Sequence, residues 1–167
     1  MKPKLVVSSV CIAVLFLITA VCAQVQPAPS ANLALTPPMG WNSWNKFGCN
    51  VSEDMIKSMA DAVVKSGMKD AGYVYVNIDD CWQVSRDEHA NIVVDPQRFP
   101  HGMKALGDYI HSLGLKFGVY SDAGSKTCAG RPGGLGHEYQ DAIQYLKAGC
   151  EVDLVIIGGY DGPQPGS

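Results

Sequence analysis

The chain has 167 residues, of which 13 are basic and 16 are acidic, and its formal net charge at pH 7 is −3. This mildly acidic balance gives no electrostatic support for binding nucleic acid or a membrane surface. The length suffices for one hydrophobic core, but it is well short of the ~250 residues that a closed eight-stranded β/α barrel usually needs.

The amino-terminal segment has the pattern of a cleaved signal peptide over residues 1–23. Two lysines precede a short apolar run over residues 6–19, and small residues before Gln24 indicate cleavage after Ala23. The apolar run is too short for a good membrane-spanning helix. We therefore expect a secreted or periplasmic protein with no membrane association after cleavage, a retained anchor being the alternative. Residues 24–32 are rich in Pro, Ser and Ala and are expected to form a flexible leader.

Strand and helix patterns alternate from residue 33 onward. The predicted elements are, in chain order, a strand at 39–44, a helix capped by Ser52 and ended by Gly67, a strand at 73–78, a helix at 102–113, a strand at 115–120, a helix at 136–147 and a strand at 152–157. Apolar strands that alternate with helices indicate an α/β fold with a parallel sheet. An open doubly wound sheet and a barrel both fit, and polar or aromatic residues after three consecutive strands favour the barrel.

The pair Asp79-Asp80 is the sharpest functional feature. It directly follows an apolar strand, and adjacent side chains at a strand end can diverge so that both reach the crevice above the sheet. Carboxylates make strong hydrogen bonds to hydroxyl groups, which suits a sugar. A turn or a helix cap is the alternative. The neighbouring Cys81 and Trp82, together with the preceding strand, favour a binding site.

Three tryptophans are candidates for contact with a sugar ring, since aromatic faces pack on apolar faces of sugars. Trp41 is expected in the core instead. Trp44 stands at a predicted strand end beside polar residues, and we expect it in the site.

Nucleotide and metal sites fail on spacing. Residues 124–127 lack the glycine that a phosphate-binding loop places before its lysine, and the glycines at 130–136 do not fit G-x-G-x-x-G. The four cysteines beyond residue 23 form no C-x-x-C pair, and the four histidines have no ligand spacing with them. We expect no cofactor and no metal, and disulfides are the better account of the cysteines.

Several segments match the sequence motifs of one enzyme family: residues 35–49 (LTPPMGWNSWNKFGC), 76–82 (VNIDDCW), 98–100 (RFP), 102–106 (GMKAL), 114–124 (GLKFGVYSDAG) and 126–130 (KTCAG). Together they resemble glycoside hydrolase family 27, the α-galactosidase and α-N-acetylgalactosaminidase family, with the α-galactosidase branch as the closer likeness. The resemblance runs from about Leu33 to Gly149.

This resemblance implies a (β/α)₈ barrel, of which residues 33–157 would form the amino-terminal part, with three to four β/α units. It implies hydrolysis of terminal α-D-galactosyl residues with retention of configuration, acting on galactose-containing oligosaccharides or glycoconjugates without a cofactor. The implied galactose-holding residues are Asp79 and Asp80, and the implied lining residues of the sugar pocket are Trp44, Tyr120 and, at the edge, Cys128. It also implies a disulfide between Cys49 and Cys81.

The fourth strand departs from the family pattern, in which a Tyr-Leu-Lys-Tyr-Asp segment ends in the nucleophile. Here the lysine is missing, and Ile156 stands at the nucleophile spacing expected from Gly149. Asp161 falls five residues late, and residues 158–167 form an off-pattern tail. The mechanism needs two carboxyl groups ~5 Å apart, and the general acid/base would come from a later strand. We therefore assign no catalytic residue.

Two hypotheses stay open. The first is an α-galactosidase represented by its amino-terminal portion. The second is a non-catalytic truncated or frameshifted fragment that at most binds galactose weakly. The oligomeric state and the partners of Cys128 and Cys150 are also open.

Overall fold

The computed structural model describes residues 35–147 and 152–159. Predictions for the signal peptide, the leader, Cys150, Asp161 and most of the tail lie outside these residues. Of the unit formed by residues 1–37, only the last three are described, and they contain no helix or strand. All elements below belong to the unit formed by residues 38–167.

Helices separate the strands of the main sheet along this unit, as predicted, and two consecutive helices and a short hairpin add to the pattern. They are β1 (Gly40–Asn42), α1 (Trp44–Phe47), α2 (Glu53–Lys65), β2 (Tyr75–Ile78), β3 (Gln83–Arg86), β4 (Ile92–Val94), α3 (Gly102–Ser112), β5 (Lys116–Asp122), α4 (Glu138–Lys147) and β6 (Leu154–Gly158). Within the described ranges, no helix has the length and apolar character needed to cross a membrane.

Four of the strands form one parallel sheet in the order β1-β2-β5-β6. The register aligns Ile78 of β2 with Val119 of β5, and Asp122 of β5 with Gly158 of β6. Because the strands are parallel and in step, their carboxyl ends meet at one edge. The prediction of a parallel sheet covered by helices is confirmed.

The core lies between one face of this sheet and helices α2 and α3. Val76 and Ile78 of β2 alternate with polar neighbours, and both are fully buried in this core. The helices contribute apolar residues at helical spacing; those with no exposed surface are Ile56, Ala60, Leu106 and Ile110. Burying each isoleucine or leucine side chain contributes roughly 1.5–3 kcal/mol, and this fixes which face of each strand turns away from the helices.

The face away from the helices carries polar chemistry, and its crowding requires glycine. A Cβ added to Gly118 of β5 would lie 1.8 Å from Oδ1 of Asn77 on β2. Tyr120 and Asp122 follow Gly118 at intervals of two and therefore share this face.

Helix α2 begins as the sequence predicted. Ser52 is its N-cap, and its hydroxyl accepts a hydrogen bond from the backbone of Met55 at 3.3 Å. The next residue, Glu53, is 2% exposed and bonds Lys57 and His101, the N-cap of α3. Burial acts to raise the pKa of Glu53, but these hydrogen bonds outweigh it and hold the pKa below its ordinary 4.5.

Two elements differ from the predictions. Strand β1 ends at Asn42 instead of continuing to residue 44, because the backbone N–H of Trp44 bonds the Asn42 side chain at 2.9 Å and starts helix α1. The antiparallel hairpin β3–β4 was not predicted. The other predicted boundaries hold to within two residues.

Candidate functional site

The carboxyl ends of β1, β2 and β5 bring the predicted site residues to one rim of the sheet. Asp79 directly follows β2, whose last residue pairs with Val119, so Asp79 lies beside Tyr120 in the register. Asn42 ends β1 next to them. Polar side chains at the carboxyl edge of a parallel sheet are the usual place for a ligand in α/β folds.

Asp79 is half-buried, and its carboxylate oxygens can accept more hydrogen bonds than the described protein supplies. Its Oδ2 accepts from Asn42 Nδ2 at 2.9 Å, and its Oδ1 accepts from the backbone of Asp80 at 2.8 Å. Its own N–H donates to the hydroxyl of the buried Ser43 at 3.0 Å, which fixes the start of the rim. A carboxylate oxygen can accept about two hydrogen bonds. One acceptor position on each oxygen of Asp79 is therefore unused by the described protein.

The side chain of Asn42 joins Asp79 to Trp44. Its amide nitrogen donates to Asp79, while its oxygen accepts from the backbone of Trp44. Trp44 is thus the first residue of α1 rather than the end of a strand, and it is 39% exposed. The exposed tryptophan offers an apolar ring face and the carboxylate offers hydrogen-bond acceptors, and both kinds of group suit a sugar.

Asp80 has a different environment, with 1% exposure. Its Oδ1 accepts from the backbone of Cys81 at 2.7 Å and from the hydroxyl of Thr127 at 2.9 Å, and its Oδ2 accepts from the backbone of Ala129 at 2.9 Å. Three acceptor positions are filled by the protein, and about one on Oδ2 is left. The two carboxylates are therefore not equivalent, a difference that the sequence did not reveal.

The residues that Asp80 holds belong to a loop that follows β5 and folds back on itself over residues 123–137. Backbone bonds from Gly133 to Ser125 at 3.0 Å and from Thr127 to Arg131 at 2.8 Å join its two arms. The tip is a turn, residues 127–130, and it is closed by a 2.8 Å bond from the N–H of its last residue to the Thr127 carbonyl. Cys128, a free and exposed cysteine, lies inside this turn.

Tyr120 lies between the sheet and the turn, and it is 7% exposed. Its hydroxyl donates to Asp122 Oδ2 at 3.0 Å and lies 4.0 Å from Sγ of Cys128. Burial, followed by the hydrogen bond to Asp122, raises the pKa of Tyr120 well above its ordinary value. The phenol is therefore protonated at neutral pH and serves as a donor. The indole of Trp82, which is buried in the core, donates to the Tyr120 carbonyl at 2.8 Å.

The disulfide between Cys49 and Cys81 is present, as the family resemblance implied. Cys81 adopts φ 76°, a left-handed conformation that is uncommon for a residue with a side chain. The disulfide and the bond from its N–H to Asp80 hold this sharp turn directly after β2. Arg98 donates to the carbonyl of Cys49 and supports the other end.

A second set of contacts fixes the base of the loop. Both terminal nitrogens of Arg86, in the unpredicted hairpin, bond the Asp141 carboxylate of α4 at 2.7 Å. The same guanidinium donates to the carbonyls of Ala90 and Gly133, each at 2.7 Å. The side chains of Arg86 and Asp141 are only 15% and 4% exposed. One buried arginine therefore ties the hairpin, the loop and the last described helix together.

The structure brings the five predicted binding residues into one connected network through three groups that sequence reasoning missed. Asn42 links Trp44 to Asp79. Thr127 and the Ala129 amide link Asp80 to the turn that carries Cys128, and Tyr120 approaches that cysteine directly. Asn42 stands in the Trp-Asn-Ser-Trp segment within the strand predicted at 39–44, and its place in that motif is a signal that could have been used. The amide of Ala129 has no sequence signal. Among residues 35–147 and 152–159, no cluster of three or more His, Cys, Asp or Glu could hold a metal ion.

The end of β6 is the remaining part of this rim. Ile156 pairs with Tyr120 and Gly158 pairs with Asp122. A Cβ added to Gly158 would lie 2.2 Å from the Tyr120 hydroxyl and 2.7 Å from Oδ2 of Asp122. The strand brings its backbone directly against these two side chains, and no ionisable residue occurs between its first and last residues.

Comparison with known proteins agrees with this geometry. A family model described as Alpha galactosidase A matches residues 36–164. The chain is 59% identical over 137 residues to Alpha-galactosidase A from Cellvibrio japonicus, which covers 81% of this chain and 34% of that relative. The solved α-galactosidase I from Mortierella vinacea is similar with a TM-score of 0.77 and 47% identity, over 83% of this chain and 35% of that one. An α-galactosidase from Saccharomyces cerevisiae, solved with raffinose, gives 0.74 and 45%, over 79% and 29%.

The chain thus spans about a third of the length of these relatives. The resemblance inferred from the sequence motifs is confirmed. The fold prediction is also confirmed, because the described sheet and helices are the amino-terminal β/α units of the barrel in these neighbours. This chain belongs to the α-galactosidase family, glycoside hydrolase family 27.

Proposed function

We propose that the protein is an α-galactosidase that hydrolyses terminal α-D-galactosyl residues with retention of configuration, and that the rim described above holds the galactose. The observation that carries the proposal is the half-buried Asp79 carboxylate, which has an unused acceptor position on each oxygen and is bridged by Asn42 to the backbone of the exposed Trp44. A galactose ring offers hydroxyl donors and an apolar face, and these two side chains complement both.

In this proposal Asp79 accepts two sugar hydroxyls, and Asp80 accepts one through the remaining position on Oδ2. Trp44 packs on the apolar face of the ring, Tyr120 lines the pocket and Cys128 forms its edge. The 4.0 Å approach of Tyr120 to Cys128 supports their assignment to one wall. Galactose-containing oligosaccharides are the proposed substrate class, and raffinose, with which the yeast relative was solved, is the first to test.

A second candidate function, galactose binding without hydrolysis, is favoured by one observation. A retaining glycosidase needs two carboxyl groups about 5 Å apart. Strand β6, from Leu154 to Gly158, supplies none to the rim. In this alternative the rim binds galactose and does not cleave the glycosidic bond.

We also propose that the protein is exported, with residues 1–23 removed as a signal peptide. The disulfide between Cys49 and Cys81 supports export, because disulfides persist outside the reducing cytosol. Mass determination of the mature protein from the periplasm or medium tests this, since a retained Met1 in the exported protein would contradict cleavage after Ala23.

The site is tested by galactose titration of the wild-type chain, Asp79→Asn and a matched control, Asp70→Asn, whose carboxylate is exposed and remote from the rim. Hydrogen bonds to a charged group are worth about 1.5–3 kcal/mol, so Asp79→Asn should weaken galactose binding by about tenfold or more, and the control should not. Equal affinity of both variants would refute the site.

Turnover of a chromogenic α-galactoside by the same proteins separates the two functions. Hydrolysis that falls in Asp79→Asn supports the enzyme. Binding without hydrolysis supports the second candidate, and the absence of both contradicts both.

A further inference from the structure

We propose that Asp80 is a positioning residue that holds the turn at residues 127–130, and through it the thiol of Cys128, against Tyr120. This goes beyond a direct contact between Asp80 and galactose. It rests on the proposed function only where it concerns sugar affinity.

The two carboxylate oxygens of Asp80 accept hydrogen bonds from the two residues that flank Cys128 in the sequence. Oδ1 accepts from the Thr127 hydroxyl and Oδ2 accepts from the Ala129 backbone, both at 2.9 Å. The turn itself is closed by the bond from Gly130 to the Thr127 carbonyl. Two fixed points, one on each side of Cys128, leave its backbone little freedom to rotate.

Asp80 is buried and held by several bonds, whereas the turn that it contacts lies at the surface. Asp80 follows a core strand, is 1% exposed, and also bonds the N–H of Cys81, which is fastened by the disulfide to Cys49. Cys128 and Ala129 are exposed. The base of the loop is held separately, by the hydrogen bonds of Arg86 to Asp141 and to the Gly133 carbonyl. The position of the tip therefore depends on the Asp80 carboxylate.

A carboxylate is needed here, and an amide of the same shape would not serve. Each oxygen of Asp80 faces a backbone N–H, that of Cys81 at Oδ1 and that of Ala129 at Oδ2. In either orientation, the amide group of an asparagine would place its own N–H donors against one of these donors. Because a buried donor without an acceptor is costly, Asp80→Asn should break the hydrogen bond at one of the two carboxylate positions.

For the proposed function, these hydrogen bonds pre-form the edge of the sugar pocket. When the turn is loosened, Cys128 can move away from Tyr120, and galactose binding then has to order the turn again. The entropy lost in this ordering lowers the affinity. Galactose affinity should then fall in a variant that removes no group assigned to contact the sugar.

The test uses Thr127→Val, which removes at almost constant volume the hydroxyl that donates to Asp80 and accepts from the Arg131 backbone, and Thr127→Ser, which restores a hydroxyl. Asp80→Asn leaves the Arg131 bond in place and isolates the contribution of the Asp80 carboxylate. Amide hydrogen exchange of Ala129 and Gly130 is measured in the folded chain. We expect exchange about tenfold faster in Thr127→Val and in Asp80→Asn, and rates within about twofold of wild type in Thr127→Ser. Asp70→Asn is the matched control, because this exposed carboxylate is remote from the turn and its substitution should leave exchange unchanged.

A nitroxide on Cys128 reports the thiol position directly, in a chain where Cys11→Ser, Cys22→Ser and Cys150→Ser leave no other free thiol. The electron paramagnetic resonance spectrum of the label should show restricted motion in this background and freer motion when Thr127→Val is added. Thr127→Val with unchanged melting, unchanged exchange and an immobilised label would overturn the proposal. A variant that unfolds is replaced by Asp80→Asn, to which the same criteria apply.

The two proposals fail in different ways. If galactose does not bind at all but Thr127→Val frees the turn, the proposed function fails and the positioning role stands. If Asp79→Asn weakens binding while Thr127→Val and Asp80→Asn leave the turn protected, the sugar site stands and the positioning role fails.

Discussion

The Arg86–Asp141 contact gives the sharpest stability prediction. Arg86→Met keeps an apolar stem of similar length but removes every donor to Asp141, Ala90 and Gly133. The carboxylate of Asp141, with 4% of its side chain exposed, is then left buried without a counterion. Breaking a buried pair from one side costs about 3–5 kcal/mol, since the remaining charge keeps its full desolvation penalty.

Urea unfolding measures this effect. At a slope of about 2 kcal/mol per molar urea, a loss of about 4 kcal/mol lowers the midpoint by about 2 M. The control is Lys104→Met, which removes an exposed pair with Asp108 whose side chains are 59% and 60% exposed. Surface pairs of this kind contribute about 0–1 kcal/mol, so the control midpoint should stay close to that of wild type.

The double variant Arg86→Met/Asp141→Leu separates the lost charge from lost packing. It removes the orphaned carboxylate as well, and replacing both members of a buried pair by apolar residues is often close to neutral. We therefore expect the double variant to be more stable than Arg86→Met alone. A loss below about 1 kcal/mol in the single variant, or strictly additive losses in the double variant, would refute the reasoning.

Three further predictions follow from described contacts. Because the folded pKa of Glu53 lies below 4.5, its stabilising effect is present above that pH and is lost as pH falls through the lower folded value. Glu53→Gln should flatten this part of the stability–pH curve, and an unchanged acid slope would contradict the assignment. Reducing the Cys49–Cys81 disulfide, which spans 32 residues, should cost roughly 3–4 kcal/mol in urea unfolding. Gly133→Ala should destabilise clearly more than Gly159→Ala, because the new Cβ meets a backbone carbonyl at 2.2 Å only in the first; equal midpoints would disprove this.

The parts of the fold that the sequence predicted are those with a long and regular pattern. Helix α2 has thirteen residues, a serine cap and a clear apolar stripe, and β2 alternates the buried Val76 and Ile78 with Tyr75 and Asn77. The hairpin β3–β4 was missed because its strands have only four and three residues, and Ser85 and Arg86 interrupt the apolar pattern. Helix α1 was missed because a single turn begun by the side chain of Asn42 has no period to detect.

The site shows the same limit at the level of single side chains. The sequence located the carboxylate pair because both residues directly follow a buried strand. It could not distinguish Asp79 from Asp80, since the contacts of Asp80 come from Thr127 and Ala129, 47 and 49 residues away. Such contacts depend on how the loop after β5 folds back, and no local pattern encodes that arrangement.

This difference between adjacent carboxylates changes how binding data on the pair must be interpreted. Loss of galactose affinity in an Asp80 variant does not by itself identify a sugar contact, because the same substitution releases the turn that carries Cys128. Asp79 lacks any bond to that turn, so an effect there can be assigned to the sugar, to the Asn42 bridge or to the bond with the Asp80 backbone. Thr127 has the opposite property, since it touches Asp80 and has no assigned sugar contact. Only the comparison of all three positions separates holding the ligand from holding the wall beside it.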